Sequence, residues 1–248
     1  MEPYIKLKEV GLSFEKDNVL KNIDLNVNKE EFVSIVGRSG TGKTTLIRMM
    51  AGLLAPTEGE VAVQGEPVTA PREDMTYVFQ KPVLLEWRTL LENILLPLEL
   101  KGKVAEQERE NAKELLALVE LSGDENKYPH ECSGGMLSRA ALARALFTNP
   151  HFLLMDEPFA ALDAMTKDLL QIQLLHIADQ YKPTIVFITH DIQEAVFLSD
   201  RVLLLGNEPS RVIKEYKVPF KRPREKTLKF QPEFLQVVKQ IHEGLENG

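Results

Sequence analysis

One run of residues limits the possible folds of this chain more than any other: Gly37-Arg38-Ser39-Gly40-Thr41-Gly42-Lys43-Thr44. It fits the pattern G-x-x-x-x-G-K-[ST] in full. The glycines let the backbone turn so that successive N–H groups point inward, which suits a phosphate. The apolar stretch Phe32–Val36 before it predicts a strand covered on both faces. A helix predicted over 43–51 sets its positive N-terminal end against the same phosphates. Lys43 can reach the β- and γ-phosphates, and the Thr44 hydroxyl can ligate Mg²⁺. These eight residues, with Thr45 next in the helix, form the candidate nucleotide-contacting set. Alone they specify only a nucleoside triphosphate, since a small kinase or a GTPase would carry the same loop.

A second constellation narrows the chemistry. Phe152-Leu153-Leu154-Met155-Asp156-Glu157 is an apolar strand ending in two carboxylates. In parallel sheets, ligands gather at the C-terminal ends of strands. Asp156 is therefore placed to hold Mg²⁺ and Glu157 to polarise an attacking water. Gln80 follows the short strand 76–79, and His190 follows the run 185–189 at the end of the strand predicted over 184–188. At such a strand end His190 can contact a γ-phosphate and orient water. The other four histidines carry no such context and read as structural.

The rest of the chain supplies the frame. Residues 4–10 and 23–27 alternate apolar and polar, as half-buried strands do. Residues 89–146 carry a helical period, with Ser133 as the N-cap of a helix that Asn149-Pro150 closes. Strands and helices then alternate again through 152–205, which implies a mainly parallel sheet. The helical middle reads as an insertion into an α/β core. From Asn207 onward only an amphipathic stretch at 234–241 stands out, and the basic run at 217–224 reads as a solvated tail. The balance of 37 acidic and 30 basic residues opposes a nucleic-acid role. One cysteine, Cys132, rules out an intrachain disulfide. No apolar run approaches the roughly 20 residues that span a bilayer, and no signal peptide is evident. The chain is expected to be soluble by itself and to reach a membrane only through a partner.

Taken together these residues resemble the ATP-binding subunit of an ABC transporter. Cys132-Ser133-Gly134-Gly135-Met136 is similar to that family's Leu-Ser-Gly-Gly-Gln signature and precedes the carboxylate strand, as in the family. The likeness runs from about residue 4 to 217. It implies a P-loop NTPase fold of RecA-like, ABC-type form, α/β overall, with an antiparallel β subdomain and an inserted helical subdomain at about 89–149. Residues 1–217 are then the nucleotide domain and 218–248 a short tail. The resemblance also implies a head-to-tail homodimer, with ATP between the loop of one copy and Ser133, Gly134 and Gly135 of the other. Phe14 matches the position that stacks on adenine. Gln80 matches the residue linking Mg²⁺ to the segment that meets the membrane subunit, and Asp163 the loop that communicates across the dimer. Cys132 and Met136 depart from the signature, and Cys132, just before a helix N-terminus, is expected to have a lowered pKa.

The segment after Gln80 holds the only Trp, Trp87. In the family this region, here about 80–98, receives a short helix of a transmembrane permease, which suits an aromatic anchor. Leu84-Leu85-Glu86-Trp87, residues 156–166 and residues 189–197 are similar to the nitrate/sulfonate/taurine importer subfamily. That likeness favours import of a small organic anion, with a substrate-binding protein as an indirect partner and the cytoplasmic face of the membrane as the place of work. Related systems carry pyrimidine precursors. The competing class is a soluble ABC-type ATPase acting on DNA or ribosomes. A long coiled coil or a second nucleotide domain would mark that class, and neither fits a net-acidic chain of 248 residues with a short helical insertion.

Overall fold

A computed structural model describes residues 3–14, 17–206 and 209–247, with the side chains of Phe14 and Asp17 outside that description. The chain opens with β1 (Ile5–Phe14), β2 (Asp17–Val27) and β3 (Phe32–Val36), then α1 (Lys43–Met50). After β4 (Glu58–Val63), β5 (Glu66–Pro67) and β6 (Met75–Val78) come three helices: α2 (Leu90–Glu99), α3 (Glu106–Leu118) and α4 (Gly134–Phe147). Strand and helix then alternate as β7 (Phe152–Asp156), α5 (Ala164–Tyr181), β8 (Thr184–Thr189), α6 (Ile192–Leu198) and β9 (Arg201–Gly206). β10 (Arg211–Lys217) and α7 (Pro232–Glu246) complete the chain.

Among the described residues these strands form two sheets. One is antiparallel, in the order β2-β1-β4-β5; the other runs β10-β9-β3-β8-β7-β6. In the second sheet only the edge strand β10 is antiparallel to its neighbour. Successive side chains of a strand point to opposite faces, and the central strands show it. Phe32, Leu153, Ile185, Phe187 and Leu204 join a core with α2 to α7. Val33, Ile35, Leu154, Val186 and Leu205 join the other, with α1 and the antiparallel sheet. Each central strand is therefore buried on both sides, as its continuous apolar sequence predicts.

This order puts the ends of β3, β8, β7 and β6 side by side. The loops that follow those four strands carry residues 37–42, His190, Glu157 and Gln80. The helical insertion packs into the first of the two cores through residues that include Leu90, Ile94, Leu116, Val119 and Ala143. Its first helix starts at a capping box in which Thr89 and Glu92 bond each other's backbone N–H.

Two expectations about the C-terminal part are corrected. Residues 211–217 form β10, whose half-exposed, charged alternation is that of an edge strand and hid it in the sequence. The basic run is also not a solvated tail. Arg224 is only 5% exposed, and its guanidinium donates to the carbonyls of Val196, Phe197, Ser199 and Phe220. It thereby satisfies the carbonyls that the end of α6 leaves free. Burial pushes its pKa down to about 10, so it stays charged at neutral pH. Arg222 pairs with Asp200 and Asp179, while α7 seats Phe234 and Ile241 fully in the main core.

Candidate functional site

The phosphate loop is built from the sheet outward. Gly37 leaves β3 so close to β9 that a Cβ would meet the Leu205 carbonyl oxygen at 2.4 Å. Gly42, just before α1, has φ 74°, in the left-handed region that favours glycine. Between them Arg38, Ser39 and Gly40 are exposed, while Thr41 folds its hydroxyl back onto the Arg38 carbonyl at 2.9 Å. Lys43 is only 6% exposed. Its ammonium donates to the carbonyls of Gly37 and Arg38, both at 2.8 Å, which holds it inside the curve of the loop. Burial pushes its pKa down, while Glu157 and Asp156 oppose that shift. Thr45 lies half-buried at the next position of α1.

The acidic pair splits into two environments. Asp156 is buried at the end of β7 and accepts from the Thr44 hydroxyl at 3.1 Å and the Tyr77 hydroxyl at 3.2 Å. Burial raises its pKa, and those two hydrogen bonds pull it back. The Tyr77 hydroxyl is pushed well up in turn by burial and by the Asp156 charge. Tyr77 has no place in the sequence motifs. It arrives because β6 pairs with β7, and only the nonlocal register shows that.

Glu157 leaves the strand with φ 47°, a conformation that side chains other than glycine adopt at a cost. Its N–H still bonds the Ile188 carbonyl of β8 at 2.9 Å. The turn swings its carboxylate away from Asp156 and onto two other strand ends. Glu157 Oε2 lies 3.0 Å from His190 Nδ1 and 3.5 Å from Gln80 Nε2. Residues 80, 157 and 190 thus converge on a single carboxylate oxygen. A carboxylate oxygen only accepts, so this contact is a hydrogen bond when Nδ1 of His190 bears a proton. Gln80 meets this cluster rather than the Thr44–Asp156 pair.

The segment 133–135 stands apart. Ser133 caps α4, its hydroxyl oxygen accepting the Met136 N–H at 3.3 Å. Gly134 is exposed, and nothing lies near where its Cβ would be. Among the described residues no hydrogen bond joins this segment to the phosphate loop. Met136 packs against the main core, which accounts for an apolar residue there. The Cys132 thiol overturns the expectation of a lowered pKa: burial pushes it up, and it donates to the Tyr128 carbonyl at 3.3 Å. It sits one residue before the cap, so the helix N–H groups do not serve it. Alkylation at neutral pH is expected to run slower than for free cysteine, since less thiolate is present. A rate against pH with a midpoint below that of free cysteine would contradict this. The adenine contact expected of Phe14 falls on a side chain outside the described residues.

The family model for "ABC transporter" matches residues 20–160, more than half of the chain. The chain belongs to the ABC transporter family. The aliphatic sulfonates import ATP-binding protein SsuB of Bacillus cereus is 40% identical to this ABC protein over 250 residues, covering 98% of this chain and 96% of the relative. The bicarbonate transport ATP-binding protein CmpD of Synechocystis is 44% identical over 211 residues, 84% of this chain and 75% of the relative. A solved dimeric, post-hydrolysis state of an ATP-binding cassette bound to ADP and Pi is 34% identical, with a TM-score of 0.78 over 88% of this chain and all of the other. The fold of this ABC protein is thus the ATP-binding cassette, as its motifs predict. No helix among the described residues is long and apolar enough to cross a membrane.

Proposed function

We propose that this chain is the ATP-hydrolysing subunit of an importer for a small anion, working as a head-to-tail pair on a separate membrane permease. The observation that carries the hydrolytic reading is the convergence of Gln80 and His190 on one oxygen of Glu157, beside the phosphate loop. A kinase would direct the γ-phosphate to a second substrate. Here a carboxylate with a histidine fixed against it suits water.

The loop amides and the N-terminus of α1 hold the triphosphate, with Arg38, Ser39, Gly40, Thr41 and Thr45 lining it. Lys43 breaks its two carbonyl contacts to meet the β- and γ-phosphates. Thr44 and Asp156 offer a hydroxyl and a carboxylate 3.1 Å apart, hard oxygen donors that suit Mg²⁺ held partly by phosphates. When bound, that ion neutralises charge on the β- and γ-oxygens. Gln80 borders this site and the permease-facing surface. Glu157 takes the proton of the attacking water, and His190 orients the water or the γ-phosphate. Ser133 and Gly134 are exposed and Gly135 is half-buried; the three make no hydrogen bond to their own phosphate loop, and they complete the partner copy's site. Residues 1–217 carry this machinery, with 89–149 as the helical subdomain.

The permease surface lies around residues 80–98. Asn93 is fully buried and bonds the backbone of Leu85, Arg88 and Thr89, fixing the loop that displays Trp87. Trp87 is 73% exposed, so its ring lies outside the core. From the same stretch Val83 and Pro97, with Phe79 and Arg144, line a groove of about 240 Å³. The sulfonate and bicarbonate systems named for the relatives both move small anions, which supports that cargo class. The cytoplasmic face of the membrane follows as the place of work. Co-expression with the permease gene tests the assignment, and recovery of ribosomes or DNA instead would overturn it. Trp87→Ala is expected to weaken permease recovery at least tenfold, about the loss from a hot-spot aromatic. Its melting temperature should stay unchanged, because the ring is not in the core.

A further inference from the structure

Behind His190 lies a run of polar contacts that the ATP chemistry above does not use. Thr189, the last residue of β8, is 2% exposed. Its hydroxyl donates to Glu194 Oε2 at 2.6 Å and accepts the Asp191 N–H at 3.0 Å. One hydroxyl thus grips the backbone on the far side of His190 from its own residue. Glu194, in α6, is 5% exposed, and its other oxygen takes Lys167 Nζ at 2.7 Å. The same ammonium lies 3.8 Å from the Asp191 carboxylate. Lys167 belongs to the first turn of α5, where its N–H bonds the Asp163 carbonyl at 2.9 Å. From outside, Lys229 ties Asp168 and Gln171 of α5 together and sits over the Phe197 ring of α6.

An ion pair with one partner partly exposed adds little net stability. What this one does is geometric. It fixes residues 189 and 191, and with them the direction in which the His190 ring leaves the sheet. We infer that Lys167, Glu194 and Thr189 are positioning residues that set the His190 imidazole against Glu157. The inference rests on reading His190 and Glu157 as the pair that handles water. It also ties that pair to the start of α5, where Asp163 caps the helix through the N–H groups of Met165 and Thr166. A shift of Asp163 would reach His190 through one ammonium and one carboxylate.

The test reads the ring itself. The chain has five histidines, so ring nitrogen spectra are tractable, with His190→Gln assigning the signal. Spectra of the full chain are compared with Thr189→Ser, Thr189→Val and Lys167→Met, alongside kcat and KM for ATP. Wild type and Thr189→Ser should share a hydrogen-bonded Nδ1–H signal for His190. Thr189→Val and Lys167→Met should lose it, with kcat down about ten- to hundredfold and KM within about twofold, as expected for misplaced catalytic groups. Lys167 is partly exposed, so Lys167→Met keeps the test open if Thr189→Val does not fold. An unchanged His190 signal in a folded Lys167→Met or Thr189→Val protein overturns the inference. A lost signal with normal turnover supports the positioning and instead removes the role given to His190.

Discussion

Glu157→Gln is expected to leave ATP binding intact and to slow turnover by about 10²–10⁴-fold, the usual loss when a general base is removed. The amide keeps the size of the side chain, so the left-handed turn at this residue and its N–H bond to Ile188 remain. Gln80 and His190 keep a neighbour to pack against. What disappears is the negative charge that both of them approach and the capacity to take a proton from water. The trapped species should be a dimer with ATP unhydrolysed between the copies. Equilibrium nucleotide binding, steady-state phosphate release and light scattering check the three parts separately. Turnover near that of wild type would end the assignment of Glu157 as the base.

Lys43→Ala should fail at the earlier step. The ammonium makes charge-assisted contacts with the triphosphate, each worth about 1.5–3 kcal/mol, so affinity for ATP should fall about ten- to hundredfold. In the free protein the same ammonium bridges Gly37 and Arg38, so its loss also loosens the loop. Removing a buried ammonium relieves a desolvation penalty, so the melting temperature should change little while binding collapses. Titration with a fluorescent ATP analogue separates this variant from Glu157→Gln, because one loses binding and the other only chemistry. Equal affinity in Lys43→Ala and wild type would remove Lys43 from the phosphate site.

Much of this arrangement is legible in the sequence because it is local. The bounds of β3 and of α5 follow directly from apolar runs and from the caps around them. The phosphate loop needs its glycines at fixed spacing, and the acidic pair needs its strand. What stayed hidden depends on nonlocal partners. Tyr77 reaches Asp156 only through strand pairing. Arg224 looks like a solvated cation until the end of α6 is brought to it. The position of Cys132 before a helix suggests amides that Ser133 already caps, so its raised pKa does not show in the sequence. β10 alternates too weakly to announce itself, since an edge strand faces solvent along one side.

The strand order has a consequence for the making of the protein. β3 is the central strand that launches the phosphate loop, and its hydrogen-bonding neighbours are β8 and β9. A chain leaving the ribosome presents the glycine-rich loop early and the strands that hold it late. Gly37 cannot take its close seat against Leu205 until β9 has emerged. Contacts between residues so distant in sequence form slowly. The nascent chain therefore carries its nucleotide motif without the neighbours that seat it until β8 and β9 have emerged.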